Sequence, residues 1–247
     1  MLRFIHIGKT GGSSIHEILK QKNIKFQEYH LNTKSYKDNE KYIIWLRNPL
    51  SRFVSAFNYI RHFIEYDCNN KKPCDINNSN CLYFPFIRRK ILNKSPFVFN
   101  KTYDNLVRSF KTANDLAEGL SSSIPEIKTR ALQLMNYDFE NIHRGIGWYL
   151  NNGIFVRNRN HNILFVGKQE TMKEDIEKLS GILKVKLNTE HIVRRNIFSS
   201  TQSKYLSPLA IQNLIEFYKD TDYAALKELN KHGWISDEVL ALYYTYP

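Results

Sequence analysis

Apolar residues follow two rhythms along this chain, and each change of rhythm marks an element boundary. Arg3–Ile7 is a short, mostly apolar run that reads as a buried strand. Gly8–Gly12 is a glycine-rich turn that ends it. From Ser14 the apolar positions Ile15, Ile18 and Leu19 repeat at helical spacing, and Ser14-x-x-Glu17 has the form of a capping box. A second extended segment is expected at Lys25–His30. Lys41–Leu46 (Lys-Tyr-Ile-Ile-Trp-Leu) is the clearest strand, and Pro49 just beyond it suits the first position of a helix. That helix carries Phe53, Phe57, Ile60 and Ile64 at helical spacing.

Further along, residues 67–81 are polar and rich in Asn and Cys, the heart of a variable surface insertion near 66–95. A helical block near 100–150 follows, with helices expected at Thr102–Phe110, Ala113–Leu120, Glu126–Asn136 and Glu140–Leu150. Asn162–Gly167 reads as a strand. Thr171-x-x-Glu174 then caps an amphipathic helix to about Leu183, Ser207-Pro208 starts another, and two short helices close the chain. There is no internal repeat. Alternating strands and helices predict a three-layer α/β fold with a central parallel sheet and a helical insertion, as a single domain over residues 1–247. In such a fold ligands gather at the carboxyl ends of the strands. The two loops after the clearest early strands, 8–14 and 47–55, are therefore where chemistry is sought.

Composition narrows the ligand. A formal charge of +12 and a pI near 9.5 point to something anionic. The basic residues form no long tract, since the densest cluster is Arg88-Arg89-Lys90. Cys68, Cys74 and Cys81 have C-x5-C-x6-C spacing, which matches no zinc pattern; one local disulfide or three free thiols both fit. No apolar run reaches the ~18 residues of a membrane span, and the apolar start is too short for a signal peptide. A cytoplasmic protein is expected.

The first loop, Gly8-Lys9-Thr10-Gly11-Gly12-Ser13-Ser14, joins a strand to a helix. Glycines let backbone N–H groups approach an anion, the helix N-terminus adds partial positive charge, Lys9 a full charge, and Thr10, Ser13 and Ser14 hydroxyls. It is not a Walker A loop, because there the lysine follows the glycines. The second segment, Arg47-Asn48-Pro49-Leu50-Ser51-Arg52-Phe53-Val54-Ser55, places an arginine at a strand end and a serine on the following helix. An arginine fork with a hydroxyl can grip a phosphate monoester.

Together the two segments resemble the donor-binding motifs of the sulfotransferases that use 3′-phosphoadenosine 5′-phosphosulfate (PAPS), especially the carbohydrate O-sulfotransferases of the heparan 2-O type. Those motifs read H-x-P-K-T-G-G-T-S and R-[DN]-P-x-x-R-x-x-S. Here Gly8 stands in place of the proline and Ser13 in place of the threonine. Phe165–Glu170 resembles the family's late strand–helix pair, and Arg194-Arg195-Asn196 through Ser199-Ser200 to Tyr205 its closing, donor-covering segment. The resemblance implies a P-loop-like scaffold with Thr10, Gly11, Gly12, Ser13 and Ser14 holding the 5′-phosphosulfate. It implies Arg47 and Ser55 on the 3′-phosphate, with Arg195 and Ser200 also on the donor. Lys9 would stabilise charge on the bridging oxygen, a contact whose loss costs about 3–4 kcal/mol of barrier. The implied product is adenosine 3′,5′-bisphosphate, and no metal is called for. His30 takes the place of the family's general base, with Glu28 as fallback. His6 is expected as a buried strand residue and His16 on the first helix. The implied acceptor is a carbohydrate hydroxyl on an anionic or lipid-linked glycan, with no nucleic acid partner. Two alternatives remain: a nucleotide-dependent P-loop kinase and a basic nucleic-acid-binding module.

Overall fold

The computed structural model describes residues 1–29, 39–69, 101–138, 141–188 and 203–247. Four strands, β1 (Leu2–Ile5), β2 (Phe26–Tyr29), β3 (Lys41–Leu46) and β4 (Ile163–Lys168), form a parallel sheet in the order β2-β1-β3-β4. Successive side chains of a strand point to opposite faces, so a strand covered on both sides is apolar throughout. The run Tyr42–Leu46 in β3 is such a strand, at most 1% exposed at every position.

The alternation divides the core in two. Phe4, Ile43, Trp45 and Phe165 pack on one face with Ile15, Ile18 and Leu19 of α1 (Gly12–Gln21) and Ile176 and Leu179 of α8 (Met172–Leu183). Ile5, Tyr42, Ile44 and Leu46 face the larger core, beneath Leu50, Phe53, Val54 and Phe57 of α2 (Pro49–Asn69). Fully burying side chains of this size contributes about 1.5–3 kcal/mol each. That larger core also holds α3 (Lys101–Arg108), α4 (Ala113–Gly119), α5 (Pro125–Met135), α6 (Ile146–Leu150) and α7 (Ile154–Arg159). It is completed by α9 (Pro208–Tyr218) and α10 (Asp222–Lys231), with α11 (Asp237–Leu242) packed at its edge. At the neighbouring pair Trp45 and Gly167 the indole lies where a Cβ would stand, 2.4 Å from the ideal position, so only glycine fits in β4 there.

Several sequence expectations are corrected. The Ser14–Glu17 box does not open α1: Gly11 is the N-cap at φ 87°, no side chain caps the helix, and Ser14 already lies in the first turn. A left-handed glycine lets the helix begin earlier and leaves its N-terminus without a side-chain cap. Thr171 does not cap α8 with its side chain either; its hydroxyl donates to Asp175 Oδ2 at 2.8 Å. The helix expected over Glu140–Leu150 shortens to α6, starting at Ile146, because Gly145 and Gly147 press against Thr221 and Asp222 at the start of α10. The Ser207–Pro208 start is as expected, with Ser207 Oγ accepting from Ala210 N at 3.1 Å. Most of the 66–95 insertion, with Cys74, Cys81 and Arg88-Arg89-Lys90, lies outside the described residues. No helix among the described residues is long and apolar enough to cross a membrane.

Chain order sets the position of the site. After β1 the sheet adds β2 on one side and β3 on the other. The connections out of β1 and β3 therefore diverge, and a crevice opens at their carboxyl ends. Both loops singled out by sequence leave the sheet there.

Candidate functional site

The first wall of the crevice is the turn from β1 into α1. Lys9 takes a left-handed φ of 69°, uncommon for a residue with a side chain, and Gly11 follows at 87°. Thr10 is fully buried and its hydroxyl donates to the Ile7 carbonyl at 2.9 Å, so that hydroxyl is used inside the turn. Ser13 is exposed and Ser14 half-buried on the first turn of α1. Three side chains press the turn into shape. Asn141 Oδ1 lies 1.9 Å from where a Cβ on Gly8 would stand. The His6 ring fills the equivalent space at Gly12 (2.1 Å), and Met172 that at Gly11 (2.6 Å). The position where the resembled motif has proline is thus occupied by the Asn141 carboxamide.

The second wall is the turn from β3 into α2. Asn48 Oδ1 accepts from Leu50 N (2.9 Å) and Ser51 N (3.1 Å), which caps α2 ahead of Pro49. Its Nδ2 donates to the carbonyls of Leu242 (3.2 Å) and Thr245 (2.8 Å), fixing the 242–246 segment beside the turn. Arg47 Nη1 donates to the Lys9 carbonyl at 3.2 Å, which ties the two motif loops together. Burial lowers the Arg47 pKa, and nearby Arg52 adds to that, against the opposing pull of Glu170 and Tyr246. The guanidinium stays charged. Glu170 is already engaged: it accepts from Asn48 N (2.7 Å) and from Tyr243 OH (3.1 Å). Burial, then the Glu170 charge, push the Tyr243 phenol up. Ser55 lies half-buried on the second turn of α2.

The Lys9 ammonium lies over the Tyr59 ring, 3.8 Å from its centroid. At the carboxyl end of β2, Glu28 sits between two imidazoles, with His6 Nδ1 at 2.5 Å and His16 Nδ1 at 3.0 Å. His6 itself lies just past β1, stacked on Phe4.

The sequence-predicted set is therefore divided. Lys9, Thr10, Gly11, Gly12, Ser13, Ser14 and Arg47 lie on two turns joined by the Arg47–Lys9 hydrogen bond, with Ser55 on the helix that follows the second. His30, Arg195 and Ser200 lie outside the described residues. Sequence reasoning missed Asn141, Tyr59 and the His6–Glu28–His16 cluster. The last had a usable signal, since two residues at the ends of adjacent parallel strands are neighbours; Asn141 had none, because it arrives from a distant loop. Chemically, an uncapped helix start, a lysine and a desolvated arginine offer positive charge and N–H donors that an anion could use. Compared with known protein families, with curated proteins and with solved structures, the chain matches none, so its functional reading rests on these residues.

Proposed function

We propose that this chain is a PAPS-dependent sulfotransferase acting on a carbohydrate hydroxyl, built on a P-loop-like scaffold. The observation that carries the reading is Arg47. A partly desolvated guanidinium with five N–H donors makes one hydrogen bond among the described residues, to the Lys9 carbonyl, while Glu170, whose charge favours it, takes its hydrogen bonds from Asn48 and Tyr243. Such a group is prepared for an anion, and it stands beside a glycine turn of the same kind. PAPS fits two such positions because it carries a 5′-phosphosulfate and a separate 3′-phosphate; it supplies the activated sulfuryl group.

In this reading the amides of residues 10–14 and the serine hydroxyls hold the 5′ end, and Arg47 with Ser55 holds the 3′-phosphate. Lys9 offsets charge on the bridging oxygen as its bond to sulfur breaks and the acceptor oxygen bonds to sulfur in line. The acceptor proton passes to a base at the end of β2: His30 by resemblance, with Glu28 the described carboxylate nearest that point. The surplus of positive charge suits an anionic or lipid-linked glycan.

Thermal melting tests the reading. Adenosine 3′,5′-bisphosphate at about 100 times its dissociation constant stabilises the fold by about 2.7 kcal/mol, which raises Tm measurably. ATP and a DNA or RNA oligonucleotide are expected to give little. A Mg²⁺-dependent rise with ATP alone would support a kinase, and a salt-steep rise with oligonucleotide a nucleic-acid module. No response to millimolar bisphosphate would count decisively against the proposal.

A further inference from the structure

We infer that Tyr59 is a positioning residue for Lys9: its ring face holds the ammonium against α2, and an anion taken by the loop competes with the ring for it. The inference rests on the donor-site reading above. Lys9 starts from a fixed anchor, because its backbone is held at φ 69° and its carbonyl accepts from Arg47. From that anchor the side chain reaches across the crevice to α2, where Nζ lies 3.8 Å from the ring centroid. Tyr59 follows Ser55 by one helical turn, so the two share a face of α2. The ammonium therefore rests on the helix face that also presents the Ser55 hydroxyl.

A ring facing an ammonium at this distance is attractive through its quadrupole, by an amount equal to about 2- to 5-fold in an equilibrium constant. Charge-assisted hydrogen bonds to a phosphate are stronger, so the ligand wins the lysine. The ring holds it back by that smaller factor. Tyr59 thus sets where Lys9 waits and lowers the affinity of the loop for anions in proportion.

The test is a double-mutant cycle read by calorimetric titration with adenosine 3′,5′-bisphosphate. Tyr59→Leu removes the ring face and is expected to tighten binding about 2- to 5-fold. Tyr59→Phe keeps the face and stays close to wild type. In a Lys9→Met background, Tyr59→Leu is expected to change nothing, an outcome that a merely structural tyrosine does not produce. Equal effects of Tyr59→Leu with and without Lys9, or no effect in either, overturn the inference and leave the donor site standing. A wild-type protein that binds no bisphosphate removes both. Should Tyr59→Leu fold poorly, isotope-labelled methyl groups on the lysine amines carry the test in the wild type. The Lys9 resonance is expected upfield under the ring current and to return toward the ordinary lysine position as bisphosphate is added. A Lys9 resonance that starts at the ordinary position, or that the ligand does not move, overturns the inference.

Discussion

Arg47 and Arg52 stand on one short stretch and meet different surroundings. Arg52 is fully buried, with Nη1 donating to the carbonyls of Asn141 (2.9 Å) and Arg144 (3.3 Å) and Nε 3.7 Å from Asp222 Oδ2. Asp222 is equally buried and accepts from Gly147 N at 2.8 Å. The charge of Arg52 is thus balanced by the protein's own carboxylate, and the pair clamps the 141–147 loop against the core. Burial, outweighing the Arg52 charge, pushes the nearby Tyr218 phenol well up. Arg47 opens on the crevice instead, beside an acid already committed to Asn48 and Tyr243. Proximity in sequence says little about role; what separates the two is that Asp222 lies within ion-pair distance of Arg52, whereas Glu170 acts on Arg47 only through its nearby charge.

The sharpest way to break this comparison is Arg52→Ala. It leaves Asp222 buried without its cation, a loss of about 3–5 kcal/mol in unfolding free energy by urea titration. A loss below ~1 kcal/mol would mean that water already reaches the pair and that the clamp is not structural. Arg47→Ala comes next and moves a different quantity. Its melting temperature without ligand is expected near wild type, while affinity for adenosine 3′,5′-bisphosphate falls by about 10- to 150-fold, the equivalent of a hydrogen bond to a charged group. The same substitution should cost far less with adenosine 5′-phosphate, which lacks the group assigned to Arg47. Equal losses for both nucleotides would remove Arg47 from the 3′-phosphate.

The sequence displayed one half of this contrast. Apolar runs located β3 and β4, and Asn48-Pro49 marked the start of α2, because these features depend on near neighbours. The loop from Gly8 to Ser14 was legible as a strand-to-helix turn from its glycines. Its geometry was not. Ser14-x-x-Glu17 satisfies a local capping pattern, but the left-handed Gly11 starts the helix earlier, and both arrangements are compatible with the same few residues. The shortening of α6 depends on glycines that meet α10, and nothing near Gly145 in sequence announces that packing. Arg47 and Arg52 look alike in the motif because the partner that distinguishes them, Asp222, is supplied from α10.

Asn141 links the two arginines and gives the subtlest test of how they are joined. Its carbonyl is held by Arg52, and its side chain occupies the space next to Gly8, one residue before the Lys9 held by Arg47. A methyl group at position 8 would stand 1.9 Å from Asn141 Oδ1 and 2.9 Å from its Cγ, so the carboxamide must move. Because the obstacle is the end of a side chain rather than backbone, Gly8→Ala is expected to cost only about 1 kcal/mol, at the low end for overpacking. Asn141→Ala opens the space while keeping the carbonyl that Arg52 holds. In that background Gly8→Ala should cost almost nothing, and the non-additivity measures the contact directly. Bisphosphate affinity should follow the same pattern, falling in the Gly8→Ala single variant and recovering in the pair. Strictly additive losses would show that the glycine is required by the backbone of the turn itself, and that the clamp around Arg52 ends before it reaches the Gly8–Ser14 loop.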